Sequence, residues 1–215
     1  MFSDDYILRI IRQATAVFAR IIGLKRAEQY HEALQVIDQT LEQLLGLDAE
    51  MIRLLDDESL YTLLTKNEGL DLEKLEFVAD LFKEEGDIHK LQNQIDESIT
   101  CYIRSLNYYL IIGINSESSP PIKLSQKIDE LLHKLEPYAI EEQTLLNLYS
   151  YYESTKEFAK ADNMLSKIVS PNDSKAFVVD EMKSFYKRLL EKSTKELADG
   201  GVSRVEIQNK LKELE

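Results

Sequence analysis

The sequence predicts an all-α protein in which antiparallel helix hairpins stack as a short, irregular solenoid of about ten helices. Three observations lead to this fold class. The 215 residues include only 7 glycines and 4 prolines, too few for the many tight turns of an all-β protein. Between those residues, apolar side chains recur at three- and four-residue spacing, as on one face of a helix. One helix–turn–helix pattern also occurs twice along the chain.

The N-terminal half contains five predicted helical segments. Four of them end at or near a glycine, namely Gly23, Gly46, Gly86 and Gly113, a residue type that commonly follows the last turn of a helix. The third segment is less regular and ends in a polar turn before Gly69. The predicted segments are 4–22, 27–45, 51–64, 72–85 and 88–112.

A polar loop at residues 115–121, Asn-Ser-Glu-Ser-Ser-Pro-Pro, is the best candidate for a boundary between two sets of hairpins. It separates residues 1–114 from residues 121–215, which we predict to be parts of one continuous array. Pro137 and Pro171 interrupt the second half, and Ser203 with Glu206 forms a capping-box pattern before the last helix. The predicted helices there are 121–136, 141–154, 157–168, 172–190 and 203–214.

Composition and charge exclude several classes of function. The 39 acidic and 26 basic side chains give a net charge of -13, which repels phosphate backbones, so we expect no nucleic-acid partner. Cys101 is the single cysteine and cannot form an intrachain disulfide, so the chain either occupies a reducing compartment or forms the rarer intermolecular disulfide, and a cytoplasmic location is expected. Residues 1–26 do not read as a signal peptide, and no run approaches the ~20 apolar residues of a membrane span.

The first predicted helix is basic in an otherwise acidic chain, with Arg9, Arg12 and Arg20 on one face. Two interpretations follow from its wide apolar face: packing on the second helix, or a surface for a partner helix or for peripheral membrane association with anionic lipid. The width of the face favours packing. The apolar positions are Tyr6, Ile7, Ile10, Ile11, Ala14, Val17, Phe18, Ile21 and Ile22.

One pattern of core positions describes a helix hairpin and occurs twice, 70 residues apart. In each copy, four apolar positions on a first helix precede a short turn and a second apolar helix. The first copy comprises Leu75, Val78, Ala79, Phe82, Gly86, Asp87, Ile88, Leu91 and Ile95. The second comprises Leu145, Leu148, Tyr149, Tyr152, Lys156, Glu157, Phe158, Ala161 and Leu165.

Both copies resemble the tetratricopeptide repeat, in which Gly-Asp-Tyr forms the turn and an alanine follows in the second helix. The segment 86–88, Gly-Asp-Ile, matches that turn most closely, whereas Lys156 stands at the glycine position of the second copy. A third, partial copy begins at Tyr30 and continues with Ala33 and Ile37. The segments 4–7, 22–25 and 44–47 also resemble an uncharacterised bacterial family of tetratricopeptide-like proteins.

This resemblance implies a concave groove lined by the first helix of each hairpin. The predicted partner-binding residues are Glu73, Glu76, Phe77, Asp80, Gln143, Leu146, Asn147, Ser150 and Glu153. The first set is acidic around Phe77, and Glu153 adds a negative charge to the second set, which contains Leu146. With Phe77 and Leu146 as apolar anchors, the expected partner is a basic or amphipathic segment of a protein or peptide. Neither set contains a lysine or arginine, so acidic C-terminal peptides are not expected to bind.

No motif for catalysis, a cofactor or a metal is evident. His31, His89 and His133 are far apart and lie in no zinc-binding pattern, and Cys101 has no recognisable catalytic context. The sequence therefore predicts a protein-interaction scaffold with no cofactor and no metal, rather than an enzyme. The alternative is an enzyme whose site assembles from residues distant in sequence.

Overall fold

The computed structural model describes residues 2–64, 71–116, 122–168 and 176–214, with only the backbone described for residues 2–8 and 10. These residues form twelve helices and no strand, which confirms the all-α prediction. The helices are α1 (Phe2–Arg26), α2 (Tyr30–Leu45), α3 (Ala49–Leu54), α4 (Asp57–Leu64), α5 (Leu72–Leu91), α6 (Ile95–Asn115), α7 (Ile122–Leu135), α8 (Glu142–Ser154), α9 (Phe158–Ile168), α10 (Ala176–Leu190), α11 (Thr194–Asp199) and α12 (Arg204–Glu213).

The chain divides into two compact units. The first comprises Met1–Ile112 and Ile122–Ala139, and the second comprises Gly113–Pro121 and Ile140–Glu215. The sequence pattern predicts that α7 belongs to the C-terminal hairpins, whereas the structure groups it with the first unit. Lys127 of α7 donates hydrogen bonds to Glu76 and Asp80 of α5, at 2.8 and 2.7 Å. Residues 117–121 of the predicted boundary lie outside the described residues.

Three hairpins, α1–α2, α5–α6 and α8–α9, share one three-residue turn. Its middle residue is Glu28, Asn93 or Lys156, and each adopts a left-handed φ of 59 to 64°. The residue after it donates its backbone N–H to a carbonyl five residues back, over 2.8 to 3.0 Å. This bond is typical of a Schellman helix end, so the three hairpins reverse direction in the same way.

The shared turn corrects two sequence-based boundaries. Gly23 lies inside α1 and Gly86 lies inside α5, so neither glycine ends its helix. Gly113 likewise lies inside α6, which continues to Asn115. A Cβ atom added at Gly86 would lie 2.7 Å from the ring of Tyr102, which shows that this glycine permits close packing of α5 on α6. The turn of this hairpin is therefore at residues 92–94. The 70-residue offset between the two predicted copies aligned the interior of α5 with the turn between α8 and α9.

In the corrected register, the three turns lie 65 and 63 residues apart. A small residue follows in the first turn of each second helix, at Ala33, Ser98 and Ala161, and all three are almost completely buried. Small side chains at these positions let the two helices of a hairpin approach closely. The partial copy at Tyr30 is thus equivalent to the hairpins at Ile95 and Phe158.

Helix α1 packs against α2 and α5. Ile21 is fully buried and the Phe18 ring meets Phe77 edge-on, with centroids 5.5 Å apart, whereas Ile11 and Ile22 are exposed. The C-terminal half of α1 thus contributes to the core of the first unit. None of the described helices combines the length and the apolar character needed to span a membrane.

The left-handed residue of the α8–α9 turn provides a stability test. Glycine adopts a positive φ without the steric cost of a Cβ atom, so Lys156→Gly is expected to stabilise the protein by roughly 1 kcal/mol. The matched control Lys187→Gly, at an exposed position inside α10, should instead destabilise by roughly 0.5–1 kcal/mol. Urea denaturation measures both changes, and equal destabilisation by the two substitutions would contradict the shared turn geometry.

Candidate functional site

The part of the predicted groove that lies on α5 is covered by other helices of the first unit. Phe77 is only 2% exposed and packs against Phe18, so it is not an accessible anchor for a partner. Glu76 and Asp80 pair with Lys127, and Asp80 also accepts a hydrogen bond from the Tyr109 hydroxyl. The resemblance implies that this face of α5 is open to solvent, but Phe18 of α1 and Lys127 of α7 contact it. Of this set, Glu73 is exposed.

The part of the predicted groove that lies on α8 is partly exposed to solvent. Gln143 and Ser150 are exposed, and Leu146 and Asn147 are half-buried beside them. Glu153 accepts a hydrogen bond of 2.9 Å from Arg188 of α10. Partner binding by the exposed part of this face stays a prediction.

A cavity of about 560 Å³ lies in the first unit and is lined by residues of α2, α3, α5 and α6. We call it the α5/α6 pocket. Leu34 and Phe82 provide apolar lining, while Asp96, Glu97 and Thr100 are exposed at its edge. Cavities of roughly 300–1,000 Å³ are the usual size of small-ligand sites. The structure therefore offers a concave site that no pattern in the sequence indicated.

Two arginines line this pocket, and contacts within the unit hold both. The Nε and Nη2 atoms of Arg53 donate to Glu85 Oε1 at 2.8 Å and to Asp38 Oδ1 at 2.5 Å. Arg104 donates to three backbone carbonyls at the end of α3, and its guanidinium lies 4.5 Å above the centre of the Phe82 ring. Because the arginines are engaged, the accessible charge at the pocket edge is that of Asp96 and Glu97.

Glu85, His89 and Cys101 meet in the same pocket. Glu85 and His89 lie one turn apart on α5, and α6 brings Cys101 to them, so one potential ligand atom from each lies within 4.8 Å of the others. His89 Nδ1 lies 2.7 Å from Gln94 Oε1 and Nε2 lies 3.7 Å from Glu85 Oε1. Since an amide oxygen only accepts, Nδ1 carries the proton in this contact, and Nε2 faces the carboxylate.

The carboxylate of Glu85 is buried, with its side chain 3% exposed. Burial by itself raises the pKa of Glu85, but the interactions with His89 and Arg53 outweigh burial and lower it below its usual value. Glu85 Oε2 accepts no hydrogen bond from any residue that the structure describes. Burial and the nearby Glu85 carboxylate raise the pKa of the Cys101 thiol, which favours its protonated form.

A weak sequence signal for this cluster existed. Glu85 and His89 have the four-residue spacing that places two side chains on one helix face. With the turn assigned to Gly86, however, the two residues belonged to different helices. The cluster depends on a hairpin register that the residues around Gly86 did not indicate.

Comparisons with curated proteins and with solved structures found no match. A family model described as a family of unknown function, DUF6483, matches residues 1–215. The match spans the two units that the structure describes. The chain therefore belongs to the DUF6483 family.

Proposed function

We propose that the protein is an interaction module that takes a basic or amphipathic segment of a partner protein at the α5/α6 pocket. The observation that carries this proposal is a cavity of about 560 Å³ with apolar lining and an acidic edge. A lysine or arginine side chain fits this arrangement, because its alkyl stem packs on apolar surface while its charge stays near carboxylates. The class of partner is the one that the sequence predicts, but the proposed site is the α5/α6 pocket and not the covered face of α5.

Exposed apolar side chains beside the pocket support binding of an amphipathic segment. Leu91 and Ile95 flank the α5–α6 turn and are 54% and 38% exposed. This turn joins the helix that carries His89 to the helix that carries Asp96 and Glu97. Exposed apolar groups beside like-charged carboxylates are typical of a surface that binds a segment with complementary charge.

Selection of short random peptides displayed on phage tests the partner chemistry. Peptides selected by the full chain should be enriched in lysine or arginine next to apolar residues. Asp96→Lys with Glu97→Lys should slow association of the selected peptides by roughly tenfold at low salt and weaken its salt dependence. Surface plasmon resonance measures both effects.

The matched control is Glu32→Lys with Glu58→Lys. These residues are also exposed acidic residues in the first turns of helices of the first unit, so the substitution has the same effect on net charge and on the helix termini. The control should leave association unchanged apart from a small effect of net charge. Equal slowing by both pairs would show that binding at the α5/α6 pocket does not occur.

A further inference from the structure

We propose that Glu85, His89 and Cys101 form a binding site for a divalent transition-metal ion, with zinc the ion whose preferences the three donors match. A carboxylate oxygen, an imidazole nitrogen and a thiolate sulfur are the three donor types of protein zinc sites. Calcium and magnesium prefer oxygen ligands alone, so the cysteine disfavours them. This inference goes beyond the proposed partner binding and does not depend on it.

The spacing of the donors is close to what zinc requires. Bonds of about 2.0–2.3 Å place the ligand atoms of a tetrahedral site roughly 3.3–3.6 Å apart. His89 Nε2 lies 3.7 Å from Glu85 Oε1, the oxygen that Arg53 also contacts, and one possible ligand atom from each of the three residues lies within 4.8 Å of the others. Shifts of roughly 1 Å at the side-chain atoms would bring donors 4.8 Å apart to this spacing.

The unpartnered oxygen of Glu85 is an independent observation that points to a ligand. Buried polar atoms in folded proteins almost always have a hydrogen-bond partner, and one without a partner calls for an ion or a water. Arg53 and His89 both face Oε1. Among the described residues, Oε2 therefore has no hydrogen-bond partner even when His89 is protonated. A metal ion between the three donors gives this oxygen the positive charge that it lacks.

Neighbouring residues orient the donors as the outer shell of a metal site does. Gln94 Oε1 accepts a hydrogen bond from the N–H group at His89 Nδ1, so Nε2 has a lone pair directed toward the cluster. The α5–α6 turn positions Gln94, because its backbone N–H bonds to the His89 carbonyl at 2.9 Å. Arg53 holds Glu85 Oε1, and Asp38 in turn neutralises Arg53 at 2.5 Å.

The charge around the cluster suits a divalent cation. Glu85 and an ionised Cys101 together balance the two charges of the ion, and the Arg53–Asp38 and Arg104–Asp57 pairs are each neutral. Asp96 and Glu97 are exposed on the same pocket and attract cations to it. Three protein donors leave one coordination position, and the pocket provides the space for a water or a small ligand there.

Titration of the reduced, tag-free, metal-stripped full chain with cobalt chloride tests the site. Cobalt takes the place of zinc and has an absorption spectrum that zinc lacks. We expect a single bound ion, intense visible bands of tetrahedral cobalt, and a near-ultraviolet band from sulfur-to-cobalt charge transfer. Zinc chloride should displace the cobalt and remove all three signals.

Substitutions assign the signals to residues. Cys101→Ser should abolish the charge-transfer band, and His89→Gln should reduce affinity by more than the outer-shell change Gln94→Ala, which should cost about 10- to 100-fold. The matched controls His31→Ala and His133→Ala remove exposed histidines and should leave the titration unchanged. Circular dichroism of each metal-free variant verifies folding, and His89→Gln at a half-buried position provides a second deletion if Cys101→Ser fails to fold.

Two results would overturn the proposal: no charge-transfer band in the wild-type protein, or a band that persists in Cys101→Ser. The metal site and partner binding are separable in the same variants. Loss of cobalt binding in His89→Gln with unchanged peptide binding supports two independent functions. Loss of peptide binding in Asp96→Lys with Glu97→Lys, with the cobalt spectrum retained, separates them in the other direction.

Discussion

Gly200→Ala should destabilise the second unit by roughly 2–3 kcal/mol. A Cβ atom at this position would lie 2.2 Å from Cδ2 of Phe158 and 2.7 Å from the Lys156 carbonyl oxygen. Phe158 is fully buried, so its ring has no free space to move into. The backbone of Gly200 has a φ of -82°, which alanine adopts readily, so the expected cost comes from steric overlap alone.

Gly23→Ala is the matched control with the opposite sign. Gly23 lies inside α1 with no atom within 4 Å of an added Cβ, so alanine there should stabilise by roughly 0.5–1 kcal/mol. Urea denaturation measures both changes, and hydrogen exchange should show faster opening of α9 in Gly200→Ala. A stability loss below about 0.5 kcal/mol in Gly200→Ala would contradict the close packing of Gly200 on Phe158.

Most helices were predictable because their apolar positions follow helical spacing. In α10 the predicted face of Val178, Met182, Phe185 and Leu189 is buried, and α2 ends at Gly46 with a left-handed φ of 70° as predicted. The short helix α11 was not predicted. A Ser193–Glu196 capping box begins it, and the same signal was recognised only at Ser203.

The turns were harder to predict because their left-handed residues are not glycines. Glu28, Asn93 and Lys156 occupy positions where glycine is the usual signal, so composition did not reveal the turns. The turn was assigned to Gly86, but glycine is needed at this position because a Cβ atom would overlap the Tyr102 ring. The predicted turn therefore lies seven residues before the observed one, because the apolar residues Ile88 and Ile95 fit the start of the second helix equally well.

The α5 part of the predicted groove is covered for a different physical reason. Rules for amphipathic helices assume one buried face, but α5 contacts both α1 and α2 and also pairs with α7 through Lys127. Phe77 therefore belongs to the core although it lies outside the main apolar stripe. The α5/α6 pocket was equally inaccessible from sequence, because its residues come from four helices and meet only in the correct register.

Arg104→Met should destabilise the first unit by roughly 3 kcal/mol. The Arg104 guanidinium, on a side chain 11% exposed, donates to the backbone carbonyls of Ile52, Arg53 and Leu55 at 3.0 to 3.2 Å. Helix α3 ends at Leu54, so these carbonyls include acceptors that the helix itself leaves unpaired. Bonds to a charged donor contribute about 1.5–3 kcal/mol each, and the sum is reduced because water reaches part of the exposed end.

Arg104→Lys distinguishes the planar guanidinium from charge alone. A single ammonium group cannot reach three carbonyls and the face of Phe82 together, so lysine should recover less than half of the lost stability. Lys123→Met, which removes a positive charge from an exposed position on α7, is the control and should be nearly neutral.

Urea denaturation measures the stability of these variants, and hydrogen exchange of residues 49–55 reports on α3 directly. In Arg104→Met this segment should exchange faster than the rest of the unit. Because α3 carries Arg53, its loosening should also weaken the hold on Glu85, and cobalt affinity should fall with the charge-transfer band retained. Full stability in Arg104→Met would mean that the carbonyls at the end of α3 are satisfied by water and that α6 does not anchor this helix.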